Sequence, residues 1–224
     1  MHTSSSDQRT ATYSATPRTR PTRKPDRAHY DEATVHAILD EEFVCHLGFI
    51  ADGAPVVLPT LYARVGHRLY LHGSTGSRPQ RSASDGLDVC VTVTITDGLV
   101  LARSAMNHSV NYRSVIAHGT AYRVTSPDEL STAYDAVIEQ VVAGRSADCR
   151  MPNAKERAQT AILRLDLDEV SAKVRAGGVA DDPEDMELPY WAGVVPLART
   201  TAAPAQDPAQ DPAITLPPYL RTEI

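Results

Sequence analysis

The chain predicts a mainly β fold with a few helices: an antiparallel sheet of six or seven strands closed into a barrel. Three observations lead there. Runs rich in Val, Ile, Thr and Leu alternate apolar and polar side chains with a period of two. Turn signals such as Asp52-Gly53, Gly66 and Asp97-Gly98 separate those runs, as hairpins require. Helical patterns do not alternate with strands, which argues against a doubly wound parallel sheet.

The elements follow in order. Asp31 caps a short helix on which Val35, Ile38 and Leu39 share one face. FVCHLGFI (43–50) is a strand with Phe43, Cys45, Leu47 and Phe49 on one side. Asp52-Gly53 turns the chain into PVVLPTLYARV (55–65). Pro59 cannot donate to a ladder, so this strand has an edge, a bulge or a ligand there. In the next strand Leu69 and Leu71 alternate with Tyr70 and His72, the pattern of a half-buried strand. A short polar helix is expected around residues 78–84. LDVCVTVTIT (87–96) and LVLARS (99–104) read as a hairpin across Asp97-Gly98. NYRSVIAHGTAYRV (111–124) is a long strand. Ser126 as cap, Pro127 at the first position and Glu129 as reciprocal partner open a helix. Leu130, Tyr134, Val137, Ile138 and Val141 follow at helical spacing, and Gly144 closes it. ILRLDLDEV (162–170) and SAKVRAG (171–177) make one or two final strands, while 144–160 carries no assignable pattern.

Composition sets the boundaries. Residues 1–28 are rich in Ser, Thr, Arg and Pro and read as a disordered basic leader, with six Arg/Lys against Asp7 and Asp26. Residues 199–224, with an imperfect AQDP repeat, read as a Pro/Ala-rich extended tail. Residues 29–198 remain as one domain able to bury a core. The net charge of −6 is mild, and no basic stripe for nucleic acid crosses the body. Three cysteines without CxxC spacing point to a reducing compartment. No apolar run reaches membrane-helix length and no signal-peptide core precedes the domain, so a soluble cytoplasmic protein is expected.

The chemistry concentrates in Leu69–Arg78, where a strand runs into a Gly/Ser turn closed by an arginine. Gly73, Ser74, Gly76 and Ser77 offer backbone N–H groups and hydroxyls, and Arg78 a permanent positive fork; together these suit a phosphate. His72 stands at the strand exit. His46, His108 and His118 show no ligand spacing with Cys45 or Cys90, so no metal site is read. No GxSxG elbow, Walker loop or Rossmann glycine fingerprint is present.

Five segments in order resemble the FMN-binding split-barrel family related to pyridoxamine 5′-phosphate oxidase, in particular its flavin-nucleotide-binding and nitroimidazole-resistance-reductase branch. They are Pro59–Tyr62; Leu69–Ser74 with Gly76 and Arg78; Val100–Ser104; Asn111–Val115 with Gly119; and Tyr190–Pro196. The resemblance spans about residues 29–198. It implies a homodimer with two FMN sites at the subunit interface. It places the flavin against Val57, Leu58, Pro59 and Thr60, and its phosphate at Ser74–Arg78. Met106 and Asn107 occupy a stretch where the family often has an aromatic residue, which leaves the pocket lining and substrate open.

Each candidate has a plainer reading beside it. His72, the catalytic candidate, is a strand-end imidazole or a donor to substrate or flavin. Gly73, Ser74 and Arg78 hold phosphate or form an ordinary surface turn. Pro59 and Thr60 make a bulge or turn backbone groups toward the flavin edge. Arg103 and Arg113 reach phosphate or pair with carboxylates. Ser114 touches cofactor or bonds within its sheet, and Trp191 is a pocket wall or an interface anchor. The expected function is an FMN-binding oxidoreductase passing hydride from a nicotinamide donor to a small, flat or electron-poor acceptor. The alternatives are a non-catalytic flavin or haem module, or a reductase using a deazaflavin coenzyme.

Overall fold

A computed structural model describes residues 11–77, 79 and 85–221. The strands are β1 (Ala28–His29), β2 (Val44–Ala51), β3 (Ala54–Val65), β4 (Arg68–Ser74), β5 (Leu87–Leu101), β6 (Ser109–Arg123), β7 (Thr160–Asp166), β8 (Glu169–Arg175) and β9 (Gly193–Pro196). Three helices are described: α1 (Glu32–Glu41), α2 (Pro127–Val141) and α3 (Ala154–Gln159). All pairings are antiparallel. Strands β2 to β7 close a ring through β2–β3, β3–β4, β4–β7, β7–β6, β6–β5 and β5–β2. The two short strands, β1 and β9, attach to β8 and β5 and account for the excess over the expected count.

The ring is split because two strands change partner. β3 pairs with β2 from Ala54 to Leu61, and with β4 from Tyr62 to Val65. β6 pairs with β8 from Tyr112 to His118, and with β7 only at Tyr122 and Arg123. Among the described residues no strand covers the edge of Ala54–Thr60 that faces away from β2. Pro59 therefore sits on an open edge, in regular register opposite His46, with no bulge.

Local chemistry explains the hairpins and the helix start. Asp52 (φ 53°) and Gly53 (φ 76°) both adopt positive φ, the two-residue turn that matches strand twist. The Asp31 carboxylate accepts the Thr34 N–H at 2.8 Å and caps α1. Gly119 is required by close approach, since a Cβ there would meet Leu165 Cδ1 at 2.8 Å.

Apolar packing fills two layers. The barrel interior holds Leu47, Phe49, Tyr62, Leu69, Leu71, Val91 and Val93, closed at one end by Val35, Ile38 and Leu39 of α1. A second cluster joins Tyr70 and Ile162 to Ala133 and Tyr134 of α2.

Several expectations change. β5 runs unbroken through Asp97-Gly98, with an irregularity between Thr96 and Gly98, where a hairpin was predicted. Strands β6 and β9 flank it there, so ladder bonds on both edges outweigh the local turn preference. β4 is not half-buried: Tyr70 is only 2 % exposed because α2 covers the second face. Ser126 makes no side-chain cap bond. Glu129 instead accepts the Tyr70 hydroxyl at 3.0 Å and lies beside Arg68 and Arg164. The unassigned 144–160 stretch contains α3, opened by an Asn153–Glu156 capping box.

The ends are also more engaged than composition suggests. Residues 11–28, assigned to a leader, reach the body: Tyr13 packs against the core, Thr19 is 4 % exposed and Ala28 pairs with β8. In the tail, Arg199 pairs with Glu42 and stacks over Phe43, and the Tyr219 hydroxyl donates to Asp148 at 2.6 Å. The helix expected around 78–84 lies outside the described residues.

Candidate functional site

His72 lies near the end of β4. The period of two puts it on the Tyr70 face, toward α2 rather than into the barrel. It borders a cavity of about 490 Å³. The walls are largely apolar: Leu61, Tyr134, Val137, Ile138, Val141 and Pro152, with Arg145, Arg150 and Glu156 at the polar side. Volume and lining match those of small-molecule sites. Burial lowers the His72 pKa from the ordinary 6.5, and no charge or hydrogen bond among the described residues contributes. A neutral imidazole with a free lone pair is the result at neutral pH. Arg150 is held by Glu156 at 2.6 Å, and Arg145 donates to the Tyr219 hydroxyl at 3.0 Å. Both guanidiniums are thus fixed at the cavity.

The predicted flavin strand lies next to this cavity. The Thr60 hydroxyl donates to the His72 carbonyl at 2.5 Å and ties the open half of β3 to β4. Val57 is 64 % exposed, and Leu58 and Pro59 are exposed beside it. This is an unpaired strand edge carrying apolar side chains.

The Gly/Ser turn is less open than expected. Thr75 N–H donates to Gln159 O, Gly76 N–H to Ser74 Oγ and Ser77 N–H to Ser74 O. Those backbone donors are used inside the turn or on β7's entry. What remains is the Ser77 hydroxyl, buried without a partner among the described residues. Such a group calls for a ligand or a neighbour. Gly73 and Ser74 pair with Ala161 and Thr160 of β7. Arg78 lies outside the described residues.

The other candidates make contacts of their own. Arg103 donates from its backbone N and its Nη1 to Asp181, at 3.0 and 2.9 Å. Burial pushes the Asp181 carboxyl up, but the Arg103 hydrogen bonds outweigh it and hold the group low. Arg113 is clamped between Asp97 and Glu41. Both arginines make carboxylate pairs, one of the two readings offered for them. Ser114 Oγ donates to Lys173 O at 3.3 Å, a bond within the sheet. Trp191 is 67 % exposed, its ring over Gly193, on the arm that leads into β9. Sequence reasoning missed Arg145 and Arg150, which sit in the segment without a pattern. Part of the apolar stripe read at helical spacing on α2 is cavity wall.

A split barrel with this topology, and with an unpaired β3 edge beside a half-buried histidine, defines a class, and comparison places the chain in it. The pyridoxamine 5′-phosphate oxidase family model matches residues 31–174. The chain belongs to this family. Flavocytochrome Anf3 from Azotobacter vinelandii is 36 % identical, with 92 % of this chain and 95 % of that chain covered and a TM-score of 0.85. The FAD and heme binding protein from Mycobacterium smegmatis is 34 % identical over 87 % of this chain and 96 % of that chain, TM-score 0.82. A 5-nitroimidazole antibiotic resistance protein from Bacteroides thetaiotaomicron, 18 % identical over 66 % of this chain and 86 % of that chain, TM-score 0.56, shares the fold. No curated protein matches the chain. No described helix is long and apolar enough to cross a membrane.

Proposed function

We propose that the chain is a homodimeric redox protein that binds a flavin along the open β3 edge and a haem in the His72 cavity. The observation that carries it is His72 itself: a neutral imidazole without a partner among the described residues, facing an apolar cavity, in a chain 36 % identical to a flavocytochrome. Imidazole in an apolar shell is a haem-iron ligand set. Arg145 and Arg150 are the cations placed to meet carboxylates at the cavity's polar side.

For the flavin, Val57 and Leu58 offer an apolar face, the Ala54–Thr60 edge offers unpaired backbone groups, and the Ser77 hydroxyl offers a donor to phosphate. FMN and FAD present the same ring and first phosphate to these groups. The FAD named in the mycobacterial relative favours the adenylated form over FMN. Bound flavin supplies hydride and single-electron chemistry, and a reduced nicotinamide remains the proposed donor. The residues here orient the ring, shield it from water and keep the imidazole unprotonated. Exposed Ile50, Val57, Met106 and Trp191 support burial against a second copy.

The test is the spectrum of the purified protein with mass analysis of what denaturation releases. A flavin spectrum with a Soret band is expected, and His72→Ala should lose the Soret band while keeping the flavin. Protein that takes up neither added flavin nor haem overturns the reading. Release of a deazaflavin mass would replace it with the alternative coenzyme.

A further inference from the structure

At the far end of β4 from His72, a second group of side chains converges. Glu32 and His36 stand one turn apart on the same face of α1. His67 projects from the turn between β3 and β4. One ligand atom from each of the three lies within 4.8 Å of the others. His67 Nε2 is 3.0 Å from Glu32 Oε2, and the two imidazole rings are 5.4 Å apart by centroid. The Tyr13 hydroxyl reaches His36 Nε2 at 2.7 Å and its ring contacts both imidazoles edge-on.

We propose that Glu32, His36 and His67 bind a divalent transition metal ion of the zinc or cobalt type, with Tyr13 beside the open position. Two imidazoles and one carboxylate suit such borderline ions, whereas magnesium and calcium prefer oxygen ligands alone. Tetrahedral bonds of about 2.0–2.1 Å put ligand atoms roughly 3.4 Å apart, so the widest pair needs to close by at most about 1.4 Å. Rotation of exposed His67 provides that closure. The Glu32–His67 ion pair and the Tyr13–His36 hydrogen bond hold the three side chains at one point, and an ion bound there would use the second ring nitrogen of His36 or displace the Tyr13 hydroxyl. Arg64, whose charge acts on His36, is held by both oxygens of Asp40 at 2.7 and 2.6 Å, which offsets its repulsion. The ion would join three separate segments: the N-terminal stretch through Tyr13, α1, and the β3–β4 turn.

The experiment is titration of chelator-treated full-length protein with Co²⁺ and Zn²⁺, followed by cobalt absorption and calorimetry. One ion per chain is expected, unaffected by excess Mg²⁺, with a raised Tm. His36→Ala and His67→Ala should each weaken binding at least about tenfold, since even supporting residues of metal sites cost 10–100-fold. Glu32→Gln should weaken it as well. His46→Ala, an exposed histidine on β2, should leave it unchanged. Circular dichroism and Tm of each metal-free variant check that the fold is kept. No binding, or binding that survives both histidine substitutions, overturns the site. None of these readouts depends on flavin or haem.

Discussion

The two parts of β3 differ in partner and in burial. Tyr62–Val65 pairs with β4 and lies beneath helices: Tyr62 is 0 % exposed, and its hydroxyl donates to the Leu39 carbonyl of α1 at 2.6 Å. Ala54–Leu61 pairs with β2, and Val57, Leu58 and Pro59 on it are exposed. Each part has one ladder, so hydrogen bonding does not separate them. Cover does. α1 and α2 both contact β3, and the strand's buried residues, Tyr62 and Ala63, lie in the part paired with β4. The covered part is core. In the proposed holo-dimer a cofactor and a second subunit supply the layer missing over the uncovered part.

Three substitutions or conditions sharpen this contrast. Leu71→Ala, beside the covered part and 1 % exposed, should cost about 2–5 kcal/mol in urea unfolding. A cost below 1 kcal/mol would mean this side is not the core. Acid should have a smaller effect, through His72 at the junction of the two parts. Its folded pKa is lowered by burial, so its contribution is fully present above the ordinary 6.5 and is lost as pH falls through the folded value. Unfolding free energy measured between pH 7.5 and 5 should therefore drop more in wild type than in His72→Phe. Equal slopes would remove His72 from the account, leaving His36 and His118, whose pKa values are also lowered. The smallest effect on monomer stability, within about 0.5 kcal/mol, is expected for Val57→Lys on the uncovered part. The same substitution should shift the elution volume from dimer to monomer and reduce flavin retention. An unchanged dimer would place the interface elsewhere.

Much of the barrel was legible because its signals are local. The period of two in β2, the Asp52-Gly53 turn and the Asp31 cap act over a few residues and appear where expected. Asp97-Gly98 misleads because the same turn residues also fit a strand irregularity, and only partners on both edges decide between the two. Arg103 and Arg113 were open alternatives because Asp181, Asp97 and Glu41 lie far away in sequence.

By itself the sequence determined the antiparallel β class, the family resemblance and the position of His72 next to a Gly/Ser turn. The tertiary structure alone decided what His72 faces, because α2 arrives from a distant stretch to roof that side of β4. It also decided that the turn's N–H groups are largely used internally, and that Glu32, His36 and His67 converge. Periodicity tells which side chains share a face. Only long-range pairing and packing tell what that face meets.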